Sequence, residues 1–139
     1  MKPESCLLLG VLVYFATIVL NRYLGERNYS MLTPEDKLKL TDEFKSHRSL
    51  ATYIPIGILL VVIAVGYVNP HTFVVTFPVG VVLILIVSLS LQFTIFRRLN
   101  DLSLPDNFVA KFRIQSTLVQ IGNIVALSMF AYGIVGRAA

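Results

Sequence analysis

Charged residues are scarce in this chain. They make up 14% of its 139 residues, whereas soluble domains carry about 25%. Hydrophobic residues make up 55%, and the mean hydropathy is +0.74. Four membrane spans of about 20 residues each would use more than half of the chain, which leaves no room for a separate soluble domain. The composition therefore predicts an all-α, polytopic membrane protein.

Asp, Glu, Lys, Arg and His are absent from the middle of every apolar segment. Proton-coupled transporters and proton relays need such groups within the membrane. A small drug/proton antiporter, for example, would need an acid in its first span. Cysteine is also scarce, because Cys6 is the only one. A single cysteine excludes an intrachain disulfide and a metal site built from several thiolates of one chain.

Familiar catalytic motifs are missing as well. The chain contains no H-E-x-x-H, G-x-S-x-G, P-loop or C-x-x-C motif. Its two histidines, His47 and His71, fall on opposite sides of the membrane in the topology derived below, so they cannot share a metal ion. We therefore predict no catalytic residue, no metal site and no cofactor.

Four apolar segments predict a four-transmembrane-helix bundle that forms one membrane domain, residues 1–139. Each segment reaches the ~20 residues that a helix needs to cross the hydrocarbon, and a helix satisfies its own backbone hydrogen bonds in lipid. Pro78 predicts either a kink in the third span or a regular helix that starts near it. The predicted spans cover about 6–24, 49–68, 72–96 and 112–135, with loops at 25–48 and 97–111.

Two local signals describe the connections between the spans. Asn69 and Pro70 predict a tight turn between the second and third spans. Thr33 and Pro34, followed by two acids, predict the N-terminus of a short helix in the first loop. We expect this helix to lie at the membrane surface, where it can continue into the second span.

Basic residues are distributed unevenly between the two sides of the membrane. Lys2 and Arg137 lie on one side, and the other ten Lys and Arg residues lie between spans one and two or between spans three and four. The positive-inside rule places both loops in the cytoplasm and both termini outside, in a plasma or inner membrane. We expect the basic side to contact anionic lipids and not nucleic acid.

Polar and small residues form two faces of the fourth span. Ser116, Gln120 and Asn123 recur at i, i+4 and i+7, so they share one helix face. Such residues join helices in lipid through close approach and hydrogen bonds, so we favour an interface between spans three and four or between subunits. The alternative is a pore or binding cleft lined by amides. The predicted interface residues are Ser116, Gln120, Gly122, Asn123, Ala126 and Gly133, together with Ser88 and Gln92 of the third span.

The segment from His47 to Pro55 resembles the second-helix signature of the MAPEG family, the membrane-associated proteins of eicosanoid and glutathione metabolism. His47, Tyr53 and Pro55 match that signature, while Ser49 and Thr52 stand where the family has Asn and Glu. The resemblance implies four helices, external termini, a trimer and glutathione held between protomers near the cytosol. Loss of the amide and the carboxylate argues against the family's catalysis.

Basic residues surround this segment and could bind an anionic headgroup or a carboxylate. Arg113 also lies at the start of the fourth span, where the resembled family often has an arginine. The candidate ligand-binding residues are therefore Lys45, His47, Arg48, Ser49, Thr52, Tyr53 and Arg113.

Three functions are compatible with these patterns. We favour a small non-catalytic membrane subunit or scaffold that packs through the fourth span in a homo- or hetero-oligomer. A glutathione-dependent, MAPEG-like enzyme is the first alternative. The second is an oligomeric channel or uncoupled transporter lined by Gln92, Gln120 and Asn123.

Overall fold

The computed structural model describes residues 1–138, which form four α-helices and one short 3₁₀ helix, with no strand among them. All four α-helices are long and apolar enough to cross a membrane, so the predicted all-α, four-helix membrane bundle is confirmed. The predicted domain extends to Ala139, which lies outside the described residues. The helices are α1 (Pro3–Tyr29), α2 (Pro34–Val68), α3 (Pro70–Leu99) and α4 (Asp106–Ala138), and the 3₁₀ helix is Asn100–Leu102.

Helix α2 is longer than the predicted second span, because the helix of the first loop and the span form one continuous element of 35 residues. Its N-terminus follows the predicted signal: the Thr33 side chain accepts a hydrogen bond from the Asp36 backbone N–H at 3.3 Å, and Pro34 occupies the first turn. At 1.5 Å per residue α2 is about 50 Å long, which exceeds the ~30 Å hydrocarbon layer. Its first turns therefore extend beyond the membrane.

The connections between the helices are short. Asn69 alone separates α2 from α3, and its carbonyl accepts a hydrogen bond from the Thr72 hydroxyl at 2.8 Å, so the predicted tight turn is confirmed. Helix α3 continues through Pro78 from Pro70 onward, so the regular helix does not start late. Ser103 adopts a left-handed conformation with φ of 53°, which separates the 3₁₀ helix from α4.

The four helices pack in the order α2–α3–α4–α1, because α1 packs on α4, α4 on α3 and α3 on α2. The approach of α1 to α4 depends on small residues. A Cβ atom at Gly133 would lie 2.6 Å from the Leu7 side chain, and Ala126 is completely buried. Helices α1 and α2 are therefore the outer members of the bundle, with α3 and α4 between them.

An apolar cluster closes the end of the bundle where α1 joins α2 and α3 joins α4. We call this end of the bundle the basic end, because ten of the twelve Lys and Arg residues lie there. An ion pair between Arg98 and Glu43, with 3.7 Å between nitrogen and oxygen, links α3 to α2 there. The buried residues of the cluster are Leu32, Phe44, Leu99, Leu104 and Phe108.

Candidate functional site: a groove between the outer helices

A groove with a volume of about 550 Å³ runs along α3 and α4 between the two outer helices. Tyr14 of α1 forms one wall, and α3 and α4 form the floor. We call this feature the central groove. The wall on α2 consists of Ala51, Thr52, Pro55, Ile56 and Leu59.

Five of the predicted interface residues meet on the floor of the central groove. They come from the two polar sets that the sequence shows on separate spans, and the remaining floor residues are aliphatic. Placing both sets in one groove gives an apolar cavity with a few convergent polar groups, the usual composition of a small-molecule site. The five polar residues are Ser88, Gln92, Ser116, Gln120 and Asn123.

Gln120 is the most informative polar residue of the floor. Its Oε1 accepts a hydrogen bond from the Ser88 hydroxyl at 2.9 Å, so α3 and α4 do share a polar contact. The residue is only 8% exposed, yet its Nε2 has no hydrogen-bond partner within residues 1–138. Turning the amide over would exchange the two atoms and still leave one end unpaired. A buried amide end without a partner is unfavourable. A polar group in the groove could supply the hydrogen bond that this end of Gln120 lacks.

The small-residue face of α4 lies elsewhere and packs within the chain. A Cβ atom at Gly122 would collide with Thr17 of α1, and one at Gly133 would meet Leu7 and Pro3. Ala126, between them, is also buried. Helix α1 covers this face, so Gly122, Ala126 and Gly133 do not face α3 or a second subunit as the sequence analysis predicted.

A buried amide network that was not predicted from the sequence joins α1 to α4 near the basic end. Asn28 donates from Nδ2 to Gln115 Oε1 at 2.9 Å, and Gln115 donates from Nε2 to Asn21 Oδ1 at 2.9 Å. Asn28 and Gln115 are both buried. The available signal was the i, i+7 spacing of Asn21 and Asn28, which places them on one face of α1.

The candidate ligand-binding residues on α2 differ in their surroundings. The Ser49 hydroxyl donates to the Lys45 carbonyl at 3.3 Å, and the Thr52 hydroxyl donates to the Arg48 carbonyl at 2.9 Å. Both hydroxyls are thus bonded to their own helix. Tyr53 is 71% exposed, and Lys45 and Arg48 are exposed as well. Of these residues, Thr52 lines the central groove.

His47 and Arg113 are less accessible than the other candidates. His47 is buried, with its ring 6.0 Å from that of Phe44 in an edge-on arrangement. Arg113 donates from Nη2 to Asn100 Oδ1 at 2.6 Å, and its guanidinium lies 5.9 Å from the centre of the Phe96 ring. The seven candidate residues are therefore not gathered in one cavity.

A second, apolar crevice of about 510 Å³ lies between α2 and α3. Gly57 belongs to its lining, and a Cβ atom built there would meet nothing within 4 Å. This position differs from Gly122, because nothing in the chain occupies the space beside it. The backbone of α2 is therefore open to close approach at Gly57.

Within residues 1–138, no three His, Cys, Asp or Glu side chains are grouped so that they could hold a metal ion.

No protein-family model, no curated protein and no solved structure matches the chain.

Proposed function

We propose that this protein is a non-catalytic membrane protein that binds an amphipathic ligand in the central groove. The unpaired, buried amide end of Gln120 carries the proposal, because lipid tails offer it no hydrogen bond. The groove has a suitable size, since small-molecule sites measure about 300–1,000 Å³ and often lie between the helices of a bundle. A mostly apolar ligand with a polar group at the level of Gln120 would pack against the apolar lining and form a hydrogen bond with the unpaired amide end.

The lining of the groove supports binding and not a reaction. Among its lining residues within 1–138, Tyr14 is the only titratable one. Hydroxyl and amide side chains at the floor do not ionise near neutral pH, and general acid–base catalysis needs a group that changes protonation state. The groove can therefore bind a molecule through its shape and its hydrogen-bonding groups.

A fluorescence experiment tests whether the groove is occupied. The chain contains no Trp, so Tyr14→Trp adds a single reporter to the groove wall. A dibrominated stearic acid methyl ester, titrated into detergent-solubilised protein, should quench this reporter to saturation. Phe93→Trp reports ordinary detergent contact, because Phe93 is 71% exposed and lies outside the groove lining. Equal, non-saturating quenching of both reporters would contradict the proposal.

A matched pair of variants assigns the quenching to the groove. Ala51→Phe, combined with the Tyr14→Trp reporter, places a ring in the groove wall and should abolish saturable quenching. Ala64→Phe makes the same change at an exposed position of α2 outside the lining, so binding should remain unchanged. Loss of binding in both variants, or in neither, would exclude the groove as the site.

The scaffold or subunit function is a second candidate, and Gly57 is the observation that favours it. Small residues let helix backbones approach closely in lipid, and the space beside Gly57 is open. A helix of a second copy or of a larger membrane protein would then pack on α2, not on α4 as the sequence suggested. Comparing the mass of the complex for the wild type and for Gly57→Leu tests this candidate.

The other two functions stay hypotheses. Gln92, Gln120 and Asn123 line the central groove together, so a channel would need a further chain to cover the groove and complete a conduit. A glutathione enzyme would use the positions of Ser49 and Thr52, whose hydroxyls are bonded to carbonyls of α2. Neither arrangement explains the unpaired amide of Gln120 as directly as a bound amphiphile does.

A further inference from the structure

We infer that the ligand of the central groove is a single-chain amphiphile with an anionic head group, a carboxylate or a phosphate, which Arg48 binds at the basic end. This inference rests on the proposed function, because it names the chemical class of the ligand for the same groove. Three features support it: the position of Arg48, the absence of acids from the groove, and the volume of the groove.

Arg48 precedes the α2 wall of the groove on its basic side and does not itself belong to the lining. The groove-lining residues Ala51, Thr52 and Pro55 follow it at i+3, i+4 and i+7, spacings that share one helix face. Arg48 is exposed, and it takes part in none of the ion pairs formed among residues 1–138. Its guanidinium is therefore available to an anion that enters from the basic end.

The charge around the groove favours an anion. No Asp or Glu belongs to its lining within the described chain. On α2, the acid Glu43 lies near the groove's basic end but is paired with Arg98. On α4, Arg113 precedes the floor residue Ser116 by one turn and adds a second positive charge at this end. The two arginines would repel a cationic head group, whereas a carboxylate or phosphate can form charge-assisted hydrogen bonds with Arg48.

The volume and depth of the groove favour a tail of one chain. Its volume of about 550 Å³ lies within the ~300–1,000 Å³ of sites that hold one small molecule, so we assign it one alkyl chain. Gln120 is seven residues beyond Arg113 on α4, or about 10 Å deeper at 1.5 Å per residue. A hydroxyl or carbonyl near the middle of the chain would thus reach the unpaired amide.

The test compares a charged probe with a neutral probe of the same tail. Dibrominated stearic acid and its methyl ester are titrated against the Tyr14→Trp reporter at alkaline pH, where the carboxyl group is ionised. We expect the acid to bind about fivefold more tightly than the ester, the effect of one arginine on an anion at a membrane surface. Arg48→Gln should remove this difference and leave the affinity for the ester unchanged.

Arg97→Gln is the matched control. Arg97 is an exposed arginine of the basic end, and the residues one and two turns before it on the same face of α3, Thr94, Phe93 and Ser90, do not line the groove. Its loss should therefore preserve the preference for the acid. Equal affinities of acid and ester, with no effect of Arg48→Gln, would overturn the anionic head group while saturable binding of the ester still supported the proposed function. Absence of saturable binding for both probes would refute both.

Discussion

Two glutamines on α4, five residues apart, have opposite environments. Gln115 is hydrogen-bonded at both ends of its amide, to Asn28 and to Asn21. Gln120 is bonded at one end only, to Ser88, and its other end is unpaired within residues 1–138. Gln115 therefore serves the packing of α1 on α4, whereas Gln120 is free to serve a ligand.

This difference predicts unequal losses of stability. Gln115→Leu removes the amide network and leaves Asn28 buried without a partner, so it should lower the free energy of unfolding by about 1–2 kcal/mol. In protein freed of ligand, Gln120→Leu loses the bond to Ser88 but also removes an unpaired amide end, so its effect should stay within about 0.5 kcal/mol. Helix content followed during denaturing-detergent titration measures both values. A larger loss for Gln120→Leu in ligand-free protein would contradict the unpaired state of its amide.

Sequence spacing identified the polar residues of the groove but only part of their pairing. The i, i+4, i+7 pattern placed Ser116, Gln120 and Asn123 on one face, and all three line the central groove. The pairing of Gln115 with Asn28 could not be predicted from spacing. It depends on α1 lying next to α4, and the periodicity of one helix does not reveal its neighbour.

Two glycines, one on α4 and one on α2, have different surroundings. Gly122 lies against Thr17 of α1, and Gly57 faces open space. The first glycine is thus part of the chain's own packing. The second leaves room for a further helix to approach α2 without displacing a residue of the chain.

Leucine at these two positions should therefore have contrasting effects. Gly122→Leu forces a bulky side chain onto Thr17 and should destabilise the protein by about 1–3 kcal/mol. Gly57→Leu gains helix propensity of up to about 1 kcal/mol and should preserve the fold. Thermal unfolding in mild detergent measures both changes. Unchanged stability of Gly122→Leu would contradict the packing of α1 on α4.

The same variants separate internal packing from assembly when the mass of the protein–detergent complex is measured. A stable Gly57→Leu variant with a lower mass than the wild type would support the scaffold function through α2. An unchanged mass would exclude Gly57 as an interface.

The helix ends show why sequence and structure divide the chain differently. The sequence predicts a helix in the first loop and a second span that begins near Ser49, where the composition changes from charged to apolar, and it allows the two to be continuous. The backbone of α2 continues through this point to Val68. Hydropathy indicates whether a helix segment lies in lipid or in water, but not how long the helix is. The N-cap at Thr33 marks where α2 starts, and that start was predicted correctly.

The arrangement of the whole molecule was the least predictable feature. Lipid and protein neighbours are both apolar, so the outer and inner faces of a membrane helix look alike in hydropathy. The order α2–α3–α4–α1, and hence the central groove, follows from small residues such as Gly133 that let particular helices approach. The ten-to-two distribution of basic residues still predicts a cytoplasmic basic end, and with it a ligand whose head group faces the cytoplasm.

The proposed function and the inferred head group together predict that each chain holds one anionic, single-chain amphiphile in the central groove. Native mass spectrometry of protein extracted from membranes in mild detergent tests it directly. Wild-type protein and Ala64→Phe should each carry one adduct per chain, with the mass of a single-chain acid or phosphate, and Ala51→Phe should carry none. A wild-type chain without an adduct, or an adduct that persists in Ala51→Phe, would contradict the claim.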